Sequence, residues 1–147
     1  MTINKVNDFE EILSILKLCS DDFFDKEAMA EDKLTELASK FSKFAEFLVF
    51  CEDENVLGFV SFYNNDPLNK VAFLSMIIVR SFCQGKKLGT HMLKYIIEQC
   101  KADGTEFLRL EVNKLNTRAI NFYLKYNFVK EKSATEISDY YILDLRK

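Results

Sequence analysis

The stretch QGKKLGT, residues 84–90, sets Gly85 and Gly89 on either side of Lys86 and Lys87, and these are two of only four glycines in the chain. It lies where an apolar strand pattern ends and an apolar helical pattern begins. Glycine lets the backbone approach a ligand closely and lets successive N–H groups turn to one side. A helix start adds unpaired N–H groups and positive partial charge. With two lysines at the same place, this suits capture of an anion, a pyrophosphate lying across the helix start. Plain turn chemistry is the alternative. The spacing is neither GxxxxGK[ST] nor GxGxxG.

Other reactive residues are sparse. Cys19, Cys51, Cys83 and Cys100 form no CxxC pair, and with the single His91 they make no zinc-ligand spacing, so no metal is expected. Each cysteine lies in or beside an apolar stretch, which predicts buried free thiols and a reducing, cytoplasmic setting. Asp21 and Asp22 precede Phe23 and Phe24. They read either as a solvated pair or as a contact for a cationic ligand.

The elements that must position these residues follow from periodicity. Residues 2–6 read as a strand, and Asn7 with Glu10 matches a capping box for a helix running to about residue 20. A second helix is expected over about 26–42, with Leu34, Leu37, Ala38 and Phe41 on one face. FAEFLVFCE and VLGFVSFYN read as a hairpin around DEN. KVAFLSMIIVR is a strand too continuously apolar to have a wet face, hence central. Leu88, Met92, Ile96 and Cys100 mark the third helix, closed by Gly104 in left-handed geometry. A strand alternating Leu108, Leu110 and Val112 against Arg109 and Glu111 follows. Asn116 caps the next helix, Asn127 closes it, and FVKEKS and DYYILDLR supply two last strands. The result is one α+β domain over residues 1–147, around a mostly antiparallel sheet with a central strand-helix-strand unit.

The 147 residues are 48% apolar and 29% charged, as in an ordinary globular protein. The 23 acidic and 20 basic side chains give no general pull toward nucleic acid. No stretch approaches a membrane span, and the first residues lack the pattern of a secretion signal. A soluble, cytoplasmic protein is expected.

Placed after a long apolar strand, QGKKLGT resembles the acyl-CoA-binding motif Q/R-x-x-G-x-G/A of the GCN5-related N-acetyltransferases, through Gln84, Leu88 and Gly89. LRLEVNKLNTRAINFYLKYNFV resembles the second half of the same superfamily, through Leu110, Val112, Asn116, Ala119, Phe122, Tyr123, Lys125 and Phe128. The likeness is good over residues 71–130. Lys87 stands where the family usually has its first glycine, and Asn127 where it has another. For Lys87 the expectation is a backbone that avoids positive φ, with the side chain free to reach a phosphate.

The resemblance implies a three-layer α/β/α fold around a mixed, mostly antiparallel sheet of about seven strands. It implies acetyl-CoA as co-substrate and an N-acetyltransferase that moves an acetyl group to a primary amine by direct attack through a tetrahedral intermediate. Ile77, Ile78 and Val79 would pair with the pantetheine arm through backbone groups. Gln84, Gly85, Lys86, Lys87, Leu88, Gly89 and Thr90 would hold the pyrophosphate. Asn116 would contact the arm or simply cap its helix. Tyr123, near the sulfur, is the candidate acid, with core packing as the alternative. Glu111 resembles the glutamate of LEV in bacterial enzymes that acetylate ribosomal-protein N-termini; it is the candidate base, or else an ion-pair partner of Arg109. Burial would favour the base.

The acceptor site in this fold draws on residues 21–44, 64–69 and 133–141. There Phe23, Phe24, Tyr63, Tyr140 and Tyr141 either line a pocket or serve as core and rim. The acceptor is expected to be a small-molecule amine, with a peptide amine, as in an N-terminal acetyltransferase, as the alternative. A catalytically silent acyl-CoA sensor and a structural domain binding no nucleotide are the other readings. No nucleic acid or membrane partner is expected. Homodimers are common in the family, though no residue pattern specifies one here.

Overall fold

An aspartate, not the asparagine before it, opens the first helix. A computed structural model describes residues 1–25 and 30–147. After β1 (Thr2–Lys5), Asp8 takes the N-cap position of α1 (Phe9–Cys19), and its Oδ2 accepts the Glu11 N–H at 3.0 Å. The pattern lies one residue later than Asn7 and Glu10 suggest, because a carboxylate suits the positive end of a helix better than a neutral amide does. The predicted start of the second helix falls on residues 26–29, outside the described residues, and α2 runs Glu31–Phe44.

The other elements come in the expected order: β2 (Glu46–Glu52), β3 (Asn55–Tyr63), β4 (Val71–Val79), α3 (Leu88–Ala102), β5 (Phe107–Asn113), α4 (Thr117–Lys125), β6 (Val129–Ser133) and β7 (Ser138–Asp144). The strands form a seven-stranded sheet in the order β1-β2-β3-β4-β5-β7-β6. The pairs β1–β2, β2–β3, β5–β7 and β6–β7 are antiparallel, whereas β4–β5, joined through α3, is parallel. This is the mixed, mostly antiparallel sheet of the expected α+β class.

The chain divides into two compact units. The first holds residues 1–63 and 76–94. Ile12, Ile15, Leu16 and Cys19 of α1 and Leu34, Ala38 and Phe41 of α2 bury their apolar faces with Phe47, Val49 and Phe59 of the sheet. Phe47 stacks on Phe59 at 4.9 Å and Phe41 lies 5.8 Å from Phe47. Burial of one such phenylalanine contributes about 1.5–3 kcal/mol. The β2–β3 register shifts between Phe50 and Cys51, a bulge placing Gly58 opposite Phe50. Gly58 has no room for a side chain, since a Cβ there would stand 2.2 Å from the Ile78 carbonyl oxygen.

The second unit holds residues 64–75 and 95–147. Leu108, Leu110 and Val112 are buried on β5, alternating with Arg109 and Glu111 as expected. Gly104 (φ 81) ends α3 and Asn127 (φ 73) ends α4, both left-handed. In each case two backbone bonds close the helix: Thr105 N to Cys100 O at 2.9 Å with Gly104 N to Lys101 O at 3.0 Å, and Phe128 N to Tyr123 O at 3.1 Å with Asn127 N to Leu124 O at 3.2 Å. Asparagine thus does the work of glycine at the second site.

The expectation that β4 has no wet face is corrected. Ala72 and Leu74 are buried, but residues 75–79 are only half-buried. The β4–β5 ladder runs from Val71↔Phe107 to Leu74↔Leu110, and residues 75–79 lie beyond it.

Candidate active site

The loop from β4 to α3 is tied down before it turns. The Arg80 N–H donates to the Leu57 carbonyl at 2.9 Å and its guanidinium to the Val56 carbonyl at 3.1 Å. The same guanidinium lies 5.0 Å from the centre of the Phe82 ring. After a short 3-10 turn at Ser81–Cys83, the Gln84 side chain returns to the strand end, its Nε2 donating to the Val79 carbonyl at 3.0 Å. Gln84 therefore shapes the loop with its side chain, beyond the cofactor contact the motif implies.

Gly85 (φ 85) and Lys87 (φ 60) are both left-handed. For Lys87 this overturns the expectation of an ordinary backbone. The Lys87 carbonyl takes the His91 N–H at 3.1 Å, so this left-handed residue stands at the cap position of α3. Gln84, Gly85, Lys86 and Lys87 are exposed, Gly89 and Thr90 half-buried. Leu88 is buried, which leaves only its backbone for a ligand. The loop therefore presents amides at the positive end of α3 with two ammonium side chains beside them.

A cavity of about 470 Å³ opens next to this loop, lined among others by Lys86, Lys87, His91, Phe82, Glu52 and Asp53. His91 meets the Phe50 ring edge-on at 6.3 Å. Sequence reasoning missed this cavity, because nothing local says that the hairpin turn after β2 comes to the start of α3. Arg80 and Gly58 were missed too, since the backbone groups they meet, on Val56 and Leu57 and on Ile78, lie twenty or more residues away in the chain.

In the second unit Glu111 is exposed on β5, directly opposite Tyr140 of β7. The burial that would favour a base is absent. Its Oε2 accepts a hydrogen bond from Ser138 Oγ at 2.6 Å. Arg109, the alternative partner, instead pairs with Glu131 at 2.9 Å and lies 5.7 Å from the Tyr140 ring centre. The ion pair that competed with a catalytic role for Glu111 does not form.

Asn116 caps α4, its Oδ1 accepting the Ala119 N–H at 3.3 Å. Tyr123 is buried on α4, with the Phe122 and Phe128 rings each 5.4 Å away. Burial pushes its phenol well above the usual tyrosine value. Of the aromatic residues considered for the acceptor, Phe23 packs edge-on to Phe59 in the first unit's core. Tyr63 packs on Phe41 at 6.3 Å, and burial pushes its hydroxyl up to about 12. Tyr141 is buried, Tyr140 half-buried and Phe24 exposed. Among the described residues no cluster of His, Cys, Asp or Glu could hold a metal ion, and no helix is long and apolar enough to cross a membrane.

The model of the acetyltransferase (GNAT) family matches residues 9–128, most of the chain and well upstream of the motifs at 84–128. The chain belongs to this family. Three solved structures share its fold. A GNAT-family protein from Desulfovibrio desulfuricans is 19% identical over 98% of both chains, with a TM-score of 0.80. An acetyltransferase from Thermus thermophilus is 16% identical over 98% of this chain and 97% of its own, with a TM-score of 0.78. PaiA N-acetyltransferase from Thermoplasma acidophilum, in complex with coenzyme A, is 18% identical over 98% of this chain and 99% of its own, with a TM-score of 0.69. No curated protein matches the chain.

Proposed function

We propose that the chain is a single N-acetyltransferase domain, residues 1–147, moving an acetyl group from acetyl-CoA to a primary amine. The observation that carries this reading is the loop before α3. Two left-handed residues, Gly85 and Lys87, turn the backbone into a helix start beside Lys86, an arrangement suited to a pyrophosphate. The fit extends to β4, where Ile77, Ile78 and Val79 lie beyond the β4–β5 ladder and are half-buried, so an extended arm could pair with them. Gln84, Gly85, Lys86, Lys87, Leu88, Gly89 and Thr90 would hold the diphosphate, with Asn116 and Tyr123 contacting the arm. The complex of PaiA N-acetyltransferase with coenzyme A supports the same ligand here.

Bound acetyl-CoA supplies an acetyl group activated as a thioester. The protein's own residues supply the rest. A β4 backbone N–H polarises the carbonyl. Glu111 takes the proton that the attacking amine must lose. Tyr123, which keeps its phenolic proton at neutral pH, gives a proton to the departing sulfur. The acceptor is read as a small metabolite amine, with a peptide amine as the second candidate, and the setting as cytoplasmic without nucleic-acid or membrane partners.

A melting-temperature series tests the cofactor. Coenzyme A at a hundred times its Kd should stabilise by about 2.7 kcal/mol while ATP at the same concentration does little. Equal shifts with both ligands, or none with coenzyme A at millimolar levels, would sink the reading. Thiol release from acetyl-CoA in the presence of amines then separates an enzyme from a silent sensor.

A further inference from the structure

Ser138 is nearly closed to solvent, yet its hydroxyl meets an exposed carboxylate. The 2.6 Å between Ser138 Oγ and Glu111 Oε2 is the short length of a bond to an ionised acceptor. An ionised carboxylate only accepts, so this bond uses the one hydrogen that Ser138 Oγ carries. Thr135 Oγ1, 2.8 Å from Ser138 Oγ, must then donate the second bond. Thr135 Oγ1 in turn accepts the Ile137 N–H at 3.1 Å. Every hydrogen points the same way, from Ile137 through Thr135 and Ser138 to Glu111, and such chains strengthen one another. The turn holds Ser138 in place as well, since the Ala134 and Thr135 N–H groups donate to its carbonyl at 2.9 and 3.2 Å. The neighbouring charges are engaged elsewhere: Arg109 pairs with Glu131, while Lys114 and Lys130 face Asp139. Glu111 Oε1 takes no hydrogen bond from the described residues.

We propose that Ser138, backed by Thr135, is a positioning residue for Glu111. It anchors one carboxylate oxygen and leaves the other open toward the acceptor amine. This rests on the reading of Glu111 as the base. The amine N–H bond breaks as an Oε1–H bond forms, and Ser138 keeps its own proton throughout.

The test assays wild type, Ser138→Ala, Ser138→Thr, Glu111→Gln and the Ala–Gln double variant. Each is given acetyl-CoA with spermidine, glucosamine, an amino acid or a short peptide, and thiol release is followed. Ser138→Ala should lower kcat roughly ten- to hundredfold with KM for the amine within about twofold. Ser138→Thr, which keeps the hydroxyl, should recover to within about threefold of wild type. In the Glu111→Gln background Ser138→Ala should cost nothing more, because the two act through one carboxylate. Should Ser138→Ala fail to fold, Thr135→Val replaces it, with a smaller loss in the same direction. Losses that multiply instead of overlapping overturn the positioning role. Full turnover by Glu111→Gln overturns the base reading and this proposal together. A wild type that turns over none of the amines, yet melts later with coenzyme A, overturns the proposal and leaves the cofactor reading standing.

Discussion

At Lys87 residue type and backbone disagree most. A lysine with φ 60 costs about 1–2 kcal/mol relative to a right-handed residue, so something must hold it there. The bond from His91 N to its carbonyl and the turn at Gly85 hold the residue at the start of α3. They do not account for the side chain, which is exposed beside Lys86. Two substitutions separate conformation from charge. Lys87→Gly should be more stable than Lys87→Ala by about 1 kcal/mol in a urea titration, because only alanine retains the strain. Both should weaken coenzyme A about fivefold if the ammonium reaches a phosphate, a loss near 1 kcal/mol. Wild-type affinity in Lys87→Gly would show that backbone amides alone form the cradle. Tyr123 allows a similar separation. Removing its hydroxyl in Tyr123→Phe should lower kcat at least tenfold and leave coenzyme A affinity within about twofold, the mark of a group acting on the leaving sulfur. Equal losses in both would make Tyr123 a packing residue among Phe122 and Phe128.

The elements carry the cradle through contacts that are remote in sequence. Gly58 admits the Ile78 backbone, and Arg80 fastens the loop to the Val56 and Leu57 carbonyls. Gly58→Ala would drive a methyl group into the Ile78 carbonyl, a backbone atom that cannot swing aside. It should destabilise by about 1–3 kcal/mol in a denaturant titration and weaken coenzyme A as well, since Ile78 is part of the proposed arm-binding edge. A stable variant with intact affinity would mean that β4 is free to shift there. These contacts also show where the sequence stops being legible. Element order, the Gly104 and Asn127 helix ends and the Asn116 cap follow from local period and turn chemistry, and they stand where expected. Asn7 and Asp8 are both good caps, so pattern alone misplaced the start of α1 by one residue. The half-buried end of β4 looks in sequence like any central strand, because its composition does not record where the ladder with β5 stops. Gly58, the cavity beside Lys86 and Lys87, and the Ser138 bond to Glu111 depend on pairings between distant segments, which no local window reports.

Across the whole molecule, two buried thiols begin the response of stability to alkali, and the buried phenols of Tyr63 and Tyr123 add to it above about pH 10. Burial pushes Cys19 in the first unit up to about 11, with Arg80 opposing and Asp22 adding to the shift. Burial likewise pushes Cys100 in the second unit up to about 12, with Asp103 adding to it. An unperturbed thiol titrates near 9.0. Below that pH both thiols are protonated in the folded and the unfolded chain, so stability should not vary on their account. Between about 9 and 11 the unfolded chain releases protons that the folded chain keeps, and stability must fall as pH rises, by at most about 1.4 kcal/mol per pH unit for each group. The urea midpoint should therefore be level from about pH 7 to 8.5 and decline above it. Cys19→Ala should start from a lower midpoint, having lost a buried side chain, and then decline less steeply. Because one thiol lies in each unit, the same titration tests whether residues 1–147 unfold together. A single domain gives one transition, and replacing either cysteine flattens that one curve. Two transitions, each flattened by only one of the replacements, would assign the units separate stabilities. A midpoint that stays level to pH 11 would mean instead that water reaches both thiols in the folded chain.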